Sequence, residues 1–188
     1  MTPEVSTERL LLRGWRESDK LPYAMLNADS EVMQHFPSAL THEQSDQMVD
    51  RIIASWETNG YGLWAAERTD TGEFIGFVGL AAPSWVSDFT PCVEVGWRLA
   101  KSHWGQGFAP EAAQAALAFG FGAVDLPNDE IVSFTTKQNI KSQRVMQKIG
   151  LRIDPTREFD HPLTPSWSQR RHVVYAIERA RWQSDMAR

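Results

Sequence analysis

The run from Val93 to Gly122 restricts the possible folds more than any other part of this chain. Val93–Leu99 (VEVGWRL) reads as a strand, with Val93, Val95, Trp97 and Leu99 on one face and Glu94, Gly96 and Arg98 on the other. It feeds through HWGQGF into an alanine-rich helix from Ala109 to about Gly122, and Pro110 suits a first helical turn. Gly105 and Gly107 lack a Cβ, so the loop tolerates positive φ and lets another molecule approach its backbone. The helix start adds unpaired N–H groups and a partial positive charge, which together make an anion site. A tight strand-to-helix turn with no ligand is the plainer alternative. A P-loop is excluded, because Phe108-Ala109 follows Gly107 where Lys-Ser/Thr is required. A dinucleotide fingerprint is excluded because Pro110 stands where its third glycine would be.

The rest of the chain supplies the neighbours of this unit. Arg9–Trp15 reads as a first strand, followed by short helices over Asp19–Asn27 and Ser30–His35, with Pro37 ending the second. Thr41 and Gln44 have capping-box spacing. The helix they open sets Met48, Ile52, Ile53 and Trp56 on one stripe and stops at Asn59-Gly60. Tyr61–Arg68 and Phe74–Ala82 flank a polar turn, which predicts a hairpin. Strands follow at Ile131–Thr135, Leu151–Phe159 and Arg171–Ile177, with a helix over Asn139–Lys148. The order predicts an α/β (α+β) fold: a single mixed, mostly antiparallel sheet flanked by helices, with a crossover at Ala109–Gly122. Without repeats or a Gly/Ser linker, 188 residues are expected to form one domain, with residues 179–188 a charged, flexible tail.

Composition narrows the functional classes. A net charge of -5 argues against nucleic acid or an anionic membrane as partner. The N-terminus lacks a signal-peptide pattern and no apolar run is long enough to span a bilayer, so the expected compartment is the cytoplasm. Cys92 is the single cysteine, expected to be a small buried hydrophobe. His161 and His172 lack metal-like partners in sequence, so no metal is expected. Nothing in the sequence specifies an oligomeric state.

Three segments in this order, TERLLLR at Thr7–Arg13, VEVGWRL at Val93–Leu99 and HWGQGFAPEA at His103–Ala112, resemble the GNAT superfamily of N-acetyltransferases. With NIKSQRVM at Asn139–Met146, the match is nearest to the RimJ/RimL-like branch of ribosomal-protein N-terminal acetyltransferases and covers nearly the whole chain. The family's phosphate motif, Gln/Arg-x-x-Gly-x-Gly/Ala, aligns Trp104 with its first position, Gly107 with its glycine and Ala109 with its last small residue. Trp104 is a departure that the branch commonly shows. The resemblance implies that amides of Gly105, Gln106, Gly107, Phe108 and Ala109 hold the pyrophosphate of acetyl-CoA. It also puts main-chain groups of Trp97 and Leu99 beside pantetheine.

Acetyl transfer needs a neutral amine, an oxyanion site and a proton for the departing thiolate. Deprotonating an α-amine of pKa near 8 costs about 1.4 kcal/mol at pH 7, against about 4.6 for a lysine, so a lysine substrate needs the stronger base. Glu94 occupies a position where the family often has a carboxylate, and it is either the base or an exposed or salt-bridged strand residue, with Arg98 a same-face partner for such a bridge. Many relatives supply a tyrosine acid seven residues beyond the asparagine. Here that position is Met146, expected in the core, and Ser142 is what the branch offers instead. Ser142 is either a donor to the thiolate or a small polar residue of the first helical turn. Asn139 is a helix cap, a pantetheine contact, or both.

The acceptor pocket is expected between the early helices and the Phe159–Trp167 loop, with Trp56, Tyr61, Trp64, Trp85 and Trp167 either lining it or packing the core. His103 either touches a phosphate or is an ordinary surface residue. These features predict direct acetyl transfer from acetyl-CoA to a primary amine, either a protein N-terminus or a small molecule. The alternative is a catalytically silent CoA-binding sensor or interaction module.

Overall fold

The strand that precedes the glycine loop is antiparallel to its neighbour on one side and parallel on the other, and this asymmetry shapes the molecule. The computed structural model describes residues 2–187. Its strands are β1 (Val5–Ser6), β2 (Leu10–Arg13), β3 (Leu63–Arg68), β4 (Phe74–Ala81), β5 (Glu94–Leu99), β6 (Glu130–Thr136), β7 (Arg152–Asp160) and β8 (Arg171–Glu178). Its helices are α1 (Glu17–Ala28), α2 (His42–Asn59), α3 (Phe108–Ala123), α4 (Ile140–Lys148) and α5 (Arg179–Met186). The strands form one eight-stranded sheet in the order β1-β2-β3-β4-β5-β6-β8-β7.

β5 pairs with β4 from Ala81↔Glu94 to Gly76↔Leu99. Its parallel pairing with β6 is confined to Glu94↔Val132, where Val132 N donates to Val93 O at 2.9 Å. The strands separate from that point and a cleft opens between them. Ala100 N donates to Ile75 O, so by antiparallel alternation the main-chain groups of Arg98, Gly96 and Glu94 serve β4. Those of Val95, Trp97 and Leu99 face the cleft.

The two faces of the central strands are packed differently. Val78, Leu80, Val95 and Leu99 are buried in the main core with Phe108, Ala112, Ala116 and Leu117 of α3. Phe77 faces the opposite way, into a smaller core with Tyr23 and Leu26 of α1 and Val49 of α2. Cross-strand partners share a face, so Glu94, Gly96 and Arg98 project with Ala81, Gly79 and Phe77 toward α1 and α2.

The helix caps follow the sequence closely. Thr41 Oγ1 accepts from Gln44 N at 3.2 Å, while Thr41 N donates to Gln44 Oε1 at 2.9 Å. The strand expected at Arg9–Trp15 is β2, and Leu10 N donates to Thr7 Oγ1 at 3.0 Å where the chain turns so that the short β1 folds back on it. Three local expectations are corrected. Ser30–His35 is a series of turns: Asp29 caps one turn, its Oδ1 accepting from Glu31 N at 2.8 Å and its O from Met33 N at 2.9 Å, and the turn does not propagate into a helix. On α2 the buried stripe includes Val49, while Ile53 is 42% exposed. Residues 179–186, expected to be a frayed tail, form α5, with Trp182 against the Phe121 ring at 5.1 Å.

Candidate active site

The glycine loop is built as an amide cradle. Gly105 and Gly107 have φ of 75° and 87°, a region costly for residues with a Cβ. Among the described residues, the N–H groups of Gly105, Gln106, Gly107, Phe108 and Ala109 have no hydrogen-bond partner, and the first helical closure is Glu111 N to Gly107 O at 3.2 Å. Arg9 and Glu111 lock this loop to the first strands. Glu111 accepts from Thr7 Oγ1 at 2.6 Å, Arg9 N at 2.8 Å and Arg9 Nε at 2.7 Å, and Arg9 Nη1 donates to Gln106 O at 2.9 Å. The Arg9 guanidinium also lies 4.6 Å from the Phe108 ring centre. Thus TERLLLR and HWGQGFAPEA are physically coupled: Thr7 and Arg9 of the first bond to Glu111 and the Gln106 carbonyl of the second.

The cleft continues from this cradle as a cavity of ≈ 960 Å³. Its walls include Glu94, Trp97, Leu99, Trp104, Gly105, Gly107, Phe108, Ala109, Asn139 and Ser142. Gln106 is the nominated residue outside that wall: its side chain donates to Ser102 O at 2.8 Å, leaving only its backbone for the cradle. Trp104 turns its indole inward, and Nε1 donates to Leu99 O at 2.8 Å. That bond engages the Leu99 carbonyl, so of the two residues expected beside pantetheine Trp97 presents both main-chain groups to the cleft and Leu99 its N–H.

Glu94 lines the same cavity. It is not bridged to Arg98: among the described residues neither belongs to an ion pair. The Glu94 Oε1 atom is 3.8 Å from where a Cβ on Gly96 would stand, so the carboxyl leans over a bare glycine floor. Burial with no compensating hydrogen bond pushes its pKa up to about 8. Across the cleft, Asn139 caps α4: its Oδ1 accepts from Ser142 N at 3.2 Å and its Nδ2 donates to Thr135 Oγ1 at 3.0 Å. The Ser142 hydroxyl, half-buried in the cavity wall, has no hydrogen-bond partner among the described residues. Met146 is buried in the core, and Tyr175 does not replace the absent tyrosine because Gln143 and Gln147 hold its hydroxyl at 3.3 Å each.

Of the aromatics nominated for the acceptor pocket, Trp167 lines the cavity, whereas Trp56 and Trp64 are core and Tyr61 packs against that core. Trp85 stacks on Phe159 at 5.1 Å in a separate aromatic cluster. His103 is buried, not on the surface, with Nε2 3.2 Å from Glu73 Oε1. Burial keeps both His161 and His172 below the ordinary histidine pKa, so they form a neutral part of the wall at pH 7. Burial also pushes the Cys92 thiol up to about 12, which removes it as a nucleophile. No group of His, Cys, Asp and Glu among the described residues is arranged to hold a metal ion. No helix there is long and apolar enough to cross a membrane.

Several lining residues escaped the sequence reading. Lys141, Arg144 and Lys148 bring three cations from α4 to the cavity at helical spacing, a signal available from periodicity. Lys141 Nζ lies 4.4 Å from the Trp104 ring centre. Phe36, Phe77 and Arg98 line the opposite side. Phe36 lies in a turn whose position is set by tertiary contacts, so no local sequence signal marks it.

The family model described as an acetyltransferase (GNAT) domain matches residues 9–152. The chain therefore belongs to the GNAT acetyltransferase family, and by class it is an N-acetyltransferase. The chain is 31% identical over 159 residues to the uncharacterized protein YkkB of Bacillus subtilis, covering 84% of this chain and 90% of that one. It is 28% identical over 189 residues to the FsC-acetyl coenzyme A-N(2)-transacetylase of Aspergillus fumigatus, covering 96% and 78%. The crystal structure of an acetyltransferase from Agrobacterium tumefaciens superposes with a TM-score of 0.77 at 28% identity, covering 95% of each chain.

Proposed function

We propose that this chain acts as one domain that transfers acetyl directly from acetyl-CoA to a primary α-amine, within the RimJ/RimL-like branch of the family. The observation that carries the reading is the alignment of an unpaired amide cradle, an open strand edge and an isolated carboxyl along one cavity. The amides of residues 105–109 suit the pyrophosphate, with Lys141, Arg144 and Lys148 supplying positive charge beside it. The main chain of Trp97 suits the amides of pantetheine, and Leu99 contributes its N–H alone. The name of the Aspergillus relative supports both acetyl coenzyme A as donor and nitrogen as acceptor.

In this reading the amine nitrogen attacks the thioester carbonyl carbon and the C–S bond breaks. The proton that the nitrogen sheds passes to the Glu94 carboxylate. The thiolate takes a proton from Ser142 Oγ, which water resupplies, so the products are the acetamide and free thiol. At pH 8, where Glu94 is half ionised, about half of amines with pKa near 8 are neutral, against under about 1% of lysine amines. Glu94 is thus matched to an α-amine.

Thiol release from acetyl-CoA over a panel of α-amines and ω-amines tests the reading, with a mass gain of one acetyl group on the acceptor. Acetyl-CoA-dependent turnover that favours α-amines is expected. Tight binding without turnover of any amine would instead identify a CoA-binding sensor.

A further inference from the structure

We propose that the acceptor is a free amino acid, whose carboxylate is held by Arg98 while its amine faces Glu94. This rests on the acetyl-transfer reading above and names the acceptor class for the same site.

Arg98 is a buried cation with no anion. Its side chain is closed in by Asn27, whose Oδ1 accepts from Nη1 at 2.6 Å, and by the Phe36 and Phe77 rings, with centres 4.1 and 5.5 Å from its Cζ. Nε is buried and has no hydrogen-bond partner, and among the described residues no carboxylate comes within ion-pair distance. Burying a guanidinium this way is costly unless an anion completes it, and arginine's planar fork of donors fits a carboxylate. Arg98 nonetheless lines the cavity, so the missing anion has a route to it.

The strand fixes where that anion would stand relative to the base. Glu94 and Arg98 share a face of β5, with Gly96 between them. At about 3.3 Å per residue their Cα atoms are roughly 13 Å apart, and the Glu94 carboxyl already leans toward Arg98 across the glycine. A small molecule spans what remains between the two groups. Pairing with Arg98 also counters the carboxylate's tendency to hold a proton on the neighbouring amine.

A free amino acid is favoured over a polypeptide because the acceptor side is roofed. His35 Nδ1 lies 3.1 Å from Gln169 Oε1, and Gln169 Nε2 donates to Gln34 O at 3.3 Å, so the α1–α2 connection meets the β7–β8 loop across the cavity. Below this bridge, Phe134, His161, Leu163 and Trp167 offer an apolar and aromatic wall that suits a large hydrophobic side chain.

The test is thiol release with matched acceptors at pH 9: phenylalanine, phenylalaninamide, phenethylamine and a C-terminally amidated tetrapeptide beginning with phenylalanine. Rates are corrected for amine ionisation. Wild-type kcat/KM for phenylalanine is expected to exceed that for the amide and the simple amine by about 10- to 100-fold, the range for a charge-assisted hydrogen bond. In Arg98→Gln that preference should fall to within about threefold while the Kd for acetyl-CoA is unchanged. Equal or better turnover of the amide overturns the proposal, and faster turnover of the tetrapeptide overturns it in favour of a polypeptide acceptor.

Titration calorimetry of the wild type with N-acetylphenylalanine and its amide gives a second readout, independent of turnover and of the variant's folding. Tighter binding of the acid supports Arg98 as the anchor, and equal binding overturns it. Failure of acetyl-CoA to bind, or to be turned over with any amine, counts against the acetyl-transfer reading itself and the proposal falls with it. Turnover without carboxylate preference sinks only the proposal.

Discussion

Replacing Glu94 by glutamine removes a titratable group while keeping the side-chain shape, and the consequence follows from its position. With a pKa of about 8, Glu94 is about one-tenth ionised at pH 7 and about nine-tenths at pH 9. For an acceptor already neutral across this range, such as a fluorinated ethylamine, wild-type kcat/KM should therefore rise about tenfold from pH 7 to 9. Glu94→Gln should be flat over the same interval and lower by about 100-fold at pH 9, the modest end of general-base contributions.

Stability changes in a related way. Below pH 4.5 the carboxyl is neutral whether the chain is folded or not; between 4.5 and about 8 only the unfolded chain ionises. The wild type accordingly loses stability as pH rises through that window, by up to about 5 kcal/mol, and the glutamine variant does not. Chemical denaturation at pH 4 and pH 8.5 measures the difference directly. A variant with the wild-type pH–rate slope, or one no more stable than wild type at pH 8.5, would show that Glu94 is neither the base nor buried as a carboxylic acid.

Gly107→Val should weaken acetyl-CoA binding at least 100-fold by calorimetry: it places a branched Cβ at φ 87° and 3.3 Å from Arg9 Nη2, in the amide cradle. Ser142→Ala should lower kcat about tenfold with little change in KM for acetyl-CoA, because the proposed donor acts on the departing thiolate and not on the bound thioester. Trp104→Phe keeps an aromatic ring but frees the Leu99 carbonyl, and the Kd for acetyl-CoA should change by about 3- to 10-fold, the scale of one hydrogen bond. Arg9→Met removes a half-exposed partner of Glu111 that also holds the Gln106 carbonyl, and acetyl-CoA affinity should fall more than thermal stability does.

The order of strands and helices is legible because local rules agree with the tertiary structure: alternation marks β5, the Thr41–Gln44 box starts α2, and glycines precede α3. The legibility fails where local and distant contacts compete. Ser30–His35 has helical composition and a capping Asp29, but Gln34 and His35 bond to Gln169 of the β7–β8 loop and only one turn forms. Val49 and Ile53 sit on adjoining stripes of α2, and only packing against Tyr23 and Phe77 selects Val49. Residues 179–186 are too polar to read as a helix without Phe121 beneath Trp182.

In the site, the residues on the glycine loop and β5 are readable from one contiguous segment. The pairing of Arg9 with Glu111 joins positions 102 residues apart. Arg98 has an ordinary place on an alternating strand, and its unusual character arises only because Asn27, Phe36 and Phe77 close around it. Sequence alternation put Glu94 and Arg98 on one face, but the bridge that was the alternative to Glu94 as base does not form: Glu94 leans over Gly96 while Arg98 is held by Asn27.

Titration calorimetry with acetyl-CoA, dephospho-CoA and adenosine tests the central claim most directly, because every step of the proposed transfer depends on the amide cradle and the β5 edge. Saturable binding of acetyl-CoA and dephospho-CoA, with adenosine binding far more weakly, is the predicted result, since pyrophosphate and pantetheine carry the contacts. Absence of acetyl-CoA binding, or equal binding of adenosine, would contradict it and leave the glycine loop as a turn between a strand and a helix.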